Sequence, residues 1–137
     1  MTAPRLRSEE VLRVLADVRA GEREMWESRI RHADPDTSKE HRECFKEEMG
    51  GFDLMADAIE SKSVGENVEN ATLAMDDLQR RLWASLTSVL TARNLTLTEA
   101  KTDHVARPLM REIERLRPIR DLLYSRRCYP QWSRQRS

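Results

Sequence analysis

The sequence predicts an all-α protein, a bundle of four or five mostly antiparallel helices joined by short loops. Three observations predict this class. Apolar residues recur three and four positions apart in four long runs, helix-breaking residues separate the runs, and no segment alternates apolar and polar residues as a half-buried strand does. The 137 residues fit one domain. We expect that domain to span residues 1–125, followed by a basic and aromatic tail over residues 126–137.

The first helix is predicted to start after Ser8, which is a favoured N-cap residue. Its apolar face can continue to Ile30, and Gly21 inside it favours either a bend or a close contact with another helix. The sequence DPD at 34–36 ends it. The residues of the apolar face are Val11, Val14, Leu15, Val18, Met25 and Trp26.

The second helix is predicted to begin near Asp36, Thr37 or Ser38, since each of these is a possible cap. Gly50 and Gly51 interrupt its apolar pattern without shifting the phase. The pair is interpreted either as a hinge between two short helices or as the place where another helix passes close. The apolar face consists of Phe45, Met49, Phe52, Met55, Ala56 and Ile59.

The third run is the most regular, and Ser85 is its only polar member. A second apolar line of Trp83, Leu86 and Leu90 lies beside it, so we expect this helix to be the central one. The members of the main line are Val64, Val68, Ala71, Met75, Leu78, Leu82, Ser85, Val89 and Ala92.

The last run extends from Thr98 to about Arg127 and contains two prolines. A proline removes a backbone donor and clashes with the preceding turn. We therefore predict that the last helix is broken or kinked at Pro108 and Pro118. Its apolar face consists of Val105, Leu109, Ile113, Leu116, Ile119 and Leu123.

Charge is distributed unevenly along a chain whose net charge is zero. Residues 1–65 carry −4, residues 66–100 carry −2 and residues 101–137 carry +6. Complementary regions favour self-association or binding to an acidic protein surface, whereas arginines beside aromatic residues also suit nucleic acid. The residues predicted to bind such a partner are Arg107, Arg111, Arg115, Arg120, Arg126, Arg127, Tyr129, Trp132, Arg134 and Arg136.

Two groups of polar residues are candidates for a metal site or an anion-binding site. His41, Cys44 and Glu48 share one side of the second helix, where they form either a partial metal site or an ordinary helix edge. Glu22 and Arg29 fall on the apolar face of the first helix. They either line an anion-binding pocket or pair with charges of another helix or subunit, and we favour the pairing.

The function predicted from these features is that of a non-enzymatic protein-interaction module, such as an adaptor, regulator or inhibitor, which self-associates. No phosphate-binding glycine loop, nucleophile elbow or zinc-ligand quartet occurs. We expect no catalytic residues, no metal and no cofactor, with nucleic-acid binding as the alternative function. The chain also shows no apolar stretch of about 18 residues and no apolar leader at its start, so we expect a cytoplasmic protein without a membrane partner.

Overall fold

The computed structural model describes residues 8–60 and 66–136, with side chains described over 8–60 and 67–126. Across this part of the chain it contains five α-helices and no strand, which confirms the all-α prediction. The helices are α1 (Ser8–His32), α2 (Pro35–Glu60), α3 (Glu66–Arg93), α4 (Leu97–Ala100) and α5 (Ala106–Arg136). No helix within the described ranges combines the length and the apolar character needed to span a membrane.

The four long helices enclose a single aliphatic core. α1 packs against α2 and α5, and α3 packs against the same two helices. α3 therefore forms one of four walls and not the centre that its apolar face predicted, and Trp83 lies 47% exposed on its outer side. The largest fully buried side chains are Val11, Val18, Phe52, Met55, Ile59, Val68, Met75, Leu82, Leu86, Leu116, Ile119 and Leu123.

The turn between α1 and α2 is fixed by Asp34, which caps α2 in place of the predicted Asp36, Thr37 or Ser38. Asp34 accepts a hydrogen bond at 2.9 Å from the backbone N–H of Thr37. Pro35 occupies the first position of α2, where its missing donor is not needed. Ser38, one of the candidates, instead donates from its hydroxyl to the carbonyl of Ile30 in α1, at 3.3 Å.

The turn between α3 and α5 depends on Asp103. Its carboxylate accepts from the backbone N–H groups of Val105 and Ala106, at 3.0 and 2.9 Å, and so caps α5. The same carboxylate pairs with Arg93, the last residue of α3, at 2.9 Å. These hydrogen bonds hold the pKa of Asp103 below its ordinary value. One side chain therefore joins the end of one long helix to the start of the next.

The glycine pair in α2 marks a close helix contact and not a hinge, because α2 runs unbroken from Pro35 to Glu60. A Cβ atom added at Gly51 would lie 3.2 Å from Cβ of Ala74 in α3, whereas one added at Gly50 would meet nothing within 4 Å. Only the second glycine is therefore needed for packing.

Both prolines of the last run lie within helical structure. Helical structure ends at Ala100 and resumes at Ala106, two residues before Pro108. Pro108 is the third residue of α5 and lies in the first turn, where no backbone donor is required. No break occurs at Pro118, because α5 continues through it, and through Pro130, to Arg136.

The two glycines predict opposite responses to the same substitution. Gly50→Ala should raise the free energy of unfolding by about 0.5 to 1 kcal/mol, because alanine favours the helix and nothing obstructs its methyl group. Gly51→Ala should be less stable than Gly50→Ala by about 1 kcal/mol or more, because α3 must move away. Urea denaturation of both variants checks this, and equal stabilities would contradict the close contact.

Candidate functional site

Arg81 of α3 joins three helices through its guanidinium group. It forms an ion pair with Glu22 of α1, and its Nε donates to Oε1 of Glu48 of α2 at 2.7 Å. Glu22 is only 3% exposed, and Glu48 is half-buried. A charge-assisted network of this kind fixes how the three helices are placed relative to one another. We call Arg81, Glu22, Glu48, Trp26 and Glu112 the Arg81 layer.

Trp26 completes the layer on the α1 side. Its indole N–H donates to Oε2 of Glu48 at 2.8 Å, so this carboxylate is held from two sides. The guanidinium carbons of Arg81 and Arg29 lie 5.5 and 5.4 Å from the centre of the Trp26 ring, within cation–π range. The ring of His41 lies 5.6 Å away in a tilted arrangement. Trp26 therefore packs between charged groups as well as apolar ones.

The Arg81 layer contains more carboxyl groups than cations. Burial and the charge of Glu48 raise the pKa of Glu22 to about 7, although Arg81 opposes both effects. Burial also raises the pKa of Glu112 of α5 above its ordinary value. Three acids beside one half-buried guanidinium cannot all ionise without cost. Glu22 therefore holds a proton at higher pH than an exposed glutamate would.

A groove of about 600 Å³ opens between α2 and α3 beside the Arg81 layer. Leu54 of α2 is 39% exposed and Leu73 of α3 is 52% exposed, although both are large and apolar. Glu47 and Asp77 are exposed on its two sides. We call it the α2–α3 groove, and its lining consists of Trp26, Cys44, Glu47, Glu48, Gly50, Gly51, Leu54, Met55, Asn70, Leu73, Ala74, Asp77, Leu78 and Arg81.

Three of the predicted arginines contact other groups of the protein. Arg115 pairs with Asp17 of α1 at 3.0 Å. The guanidinium of Arg120 lies 4.9 Å from the ring centre of Tyr124. Arg126 donates to the carbonyl oxygens of Ala58 and Ile59 of α2, at 2.6 and 3.2 Å.

Three of the predicted arginines are exposed in the described part of the chain, namely Arg107, Arg111 and Arg120. Arg107 and Arg111 lie one helical turn apart on α5 and share a shallow groove with His104 and Arg115. The other predicted side chains lie outside the described residues, namely Arg127, Tyr129, Trp132, Arg134 and Arg136.

The other polar candidates take different roles in the structure. Glu22 pairs with Arg81, as the ion-pair interpretation predicted. Glu22 and Arg29 both line an open groove of about 470 Å³ between α1, α3 and α5, where Glu22 is buried and Arg29 is exposed. His41 contacts Trp26, and Cys44 has an exposed free thiol. Within residues 8–60 and 66–126, no three His, Cys, Asp or Glu side chains are grouped as metal ligands.

Sequence reasoning missed Leu54, Leu73 and Arg81. Leu73 lies two positions before Met75, off the main apolar line of α3, and a large apolar residue off the buried line was a readable sign of an exposed apolar surface. Arg81 adjoins Leu82 at the edge of that line, a position which is equally compatible with solvent. Its role depends on Glu22, 59 residues earlier, which no local pattern shows.

Comparison of the chain with protein-family models, with curated proteins and with solved structures finds no match.

Removing Arg81 should destabilise the fold far more than removing its neighbour. Arg81→Ala leaves Glu22 and Glu48 without their cation, which should cost roughly 3 kcal/mol of unfolding free energy. Arg80→Ala is the matched control, since Arg80 forms an exposed pair with Asp77, and it should cost below about 0.5 kcal/mol. Urea denaturation measures both, and equal costs would contradict the role of the layer.

A second substitution tests the origin of that cost. At alkaline pH, where the Glu22 carboxyl is ionised, Glu22→Gln added to Arg81→Ala removes the unpaired buried charge, so it should restore about 1 kcal/mol or more. A double variant that is less stable than Arg81→Ala would show that the loss comes from packing and not from charge.

The raised pKa of Glu22 predicts that stability falls as pH rises. The folded protein keeps the proton of Glu22 up to about pH 7, whereas the unfolded chain releases it near 4.5. This stabilising contribution is complete below the lower value and is lost as pH rises through the higher one. Relative to Glu22→Gln, the wild type should therefore lose roughly 1 to 3 kcal/mol of unfolding free energy between about pH 5 and 8.

Urea denaturation at several pH values measures this loss. Burial of Glu112 acts in the same direction, so only the difference between wild type and Glu22→Gln isolates Glu22. Glu24→Gln, which removes an exposed carboxylate of the same helix, is the control and should keep the wild-type slope. A parallel profile for wild type and Glu22→Gln would contradict the prediction.

Proposed function

We propose that this protein is a non-enzymatic, self-associating interaction module whose α2–α3 groove binds a helix of a protein partner. The observation that carries the proposal is the exposure of Leu54 and Leu73 on the two sides of one groove. Large exposed apolar side chains that share a concave surface are typical of protein-binding sites. A helix that places apolar residues three and four apart can fill such a groove.

The charges around the groove define the partner further. Glu47 and Asp77 are exposed on its opposite sides, and Asp77 forms an exposed pair with Arg80. Among the described lining residues Arg81 is the only cation, and it is already engaged by Glu22 and Glu48. A helix with an apolar face and flanking arginines or lysines therefore suits the groove better than an acidic one. The partner so defined is an amphipathic, basic helix.

Two expectations from the sequence belong to this proposal. We take neighbouring helices as antiparallel, which the contacts support, because Arg19 pairs with Asp53 whereas the later residue Trp26 meets the earlier residue Glu48. We also place the protein in the cytoplasm as a regulator or adaptor. The free thiol of Cys44 is compatible with a reducing compartment.

Nucleic-acid binding is the second candidate, and Arg107 and Arg111 favour it. They are exposed, one helical turn apart, and share a groove with His104, so their guanidinium groups can reach successive phosphates. The contacts of Arg115, Arg120 and Arg126 within the protein weaken this candidate, because they compete with phosphate for the same donors.

Capture experiments with matched variants test the proposal. Immobilised wild-type chain is incubated with a nuclease-treated lysate of the native host, and bound proteins are identified by mass spectrometry. Leu73→Arg should reduce the recovery of the specific partner about tenfold or more, because it places a cation where an apolar side chain binds. Leu97→Arg, at a leucine 54% exposed on α4 and outside the groove, should leave recovery unchanged.

The same experiment separates the two candidates. Equal recovery with wild type, Leu73→Arg and Leu97→Arg would contradict the role of the groove. Recovery of nucleic acid alone, from a lysate not treated with nuclease, would support the second candidate. Circular dichroism of each variant shows that the helices have formed.

A further inference from the structure

We infer that the α2–α3 groove binds the C-terminal end of α5 from a second copy of this chain. This inference rests on the proposed function and names its partner. The groove offers exposed apolar residues between Glu47 and Asp77. The segment 127–137, which follows the engaged Arg126, has three arginines, no acidic residue and two large aromatic residues, Tyr129 and Trp132. Its composition therefore complements both the apolar and the charged parts of the groove.

The position of α5 makes its end available. Arg126 is held on the carbonyl oxygens of Ala58 and Ile59, close to the end of α2 at Glu60. The backbone of α5 stays helical for ten further residues, to Arg136. At the rise of an α-helix these residues extend about 15 Å. The last turns of α5 therefore pass the end of α2.

A groove of the same chain is a poor receptor for this end. α5 packs against α3 and α1, whereas the groove opens between α3 and α2. A helix that continues past the end of α2 cannot turn back into that groove without breaking. A groove of a second copy has no such restriction, and exchange in both directions gives a closed dimer with two equal contacts.

The aromatic residues and arginines of the segment have separate roles. Tyr129 and Trp132 are three positions apart and so fall on one face of a helix, which suits contact with Leu54 and Leu73. Aromatic residues and arginine are also the residues that contribute most to protein interfaces. Arginines beside them can pair with Glu47 and Asp77, so the association should weaken as salt concentration rises.

Sedimentation equilibrium of the purified, nucleic-acid-free chain tests the inference. Wild type and Leu97→Arg should form dimers. Leu73→Arg, which blocks the groove, and Trp132→Glu, which alters the segment, should each weaken dimerisation about tenfold or more. An equimolar mixture of these two variants should form heterodimers, because the intact groove of one chain still meets the intact segment of the other.

Several results would contradict dimerisation through the groove. A wild-type chain that stays monomeric at micromolar concentration, dimers that neither variant weakens, or a mixture without heterodimers would each overturn the inference. So would loss of nucleic-acid binding by Trp132→Glu with dimerisation unchanged, because the segment would then serve nucleic acid. If capture of a different protein remains sensitive to Leu73→Arg, the proposed function stands although the inference fails.

Discussion

The structure depends on one guanidinium group that must satisfy carboxylates from two other helices. Arg81 lies between Glu22 of α1 and Glu48 of α2, so none of the three helices can slide along its neighbours without separating a partly buried charge. Apolar side chains alone set such a position less strictly, because similar residues recur every turn. The Arg81 layer therefore gives the aliphatic core its register, and it fixes Trp26, whose indole N–H is bound to Glu48.

The groove follows from the way α2 and α3 approach each other. At Gly51 and Ala74 the helices are so close that an added Cβ atom would require Ala74 to move by a few tenths of an ångström. Leu54 and Leu73, near this contact, remain outside it and exposed. An apolar surface thus lies directly over a rigid part of the bundle. A preformed surface of this kind loses little conformational entropy when a partner binds.

The sequence predicted the helices, which depend on a local repeat of apolar residues. It did not predict contacts between residues that are far apart in the chain. Three apolar runs located α1, α2 and α3 within a few residues, since burial imposes the same spacing along each of them. The fourth run was less accurate, because α5 spans Ala106–Arg136 and not Thr98 to about Arg127. Whether Gly50 and Gly51 formed a hinge depended on Ala74 of another helix, and the pairing of Arg81 depended on Glu22 and Glu48. Pattern reasoning also could not show that Arg115 and Arg126 of α5 contact α1 and α2.

Asp103 connects two long helices at one end of the bundle. Its carboxylate binds Arg93 of α3 and caps α5, so α3 and α5 are joined at the end that contains α4. At the opposite end α5 continues beyond the last carbonyl groups of α2. Between these ends Ile113, Leu116, Ile119 and Leu123 hold α5 in the core, so the core sets the direction in which its last turns extend.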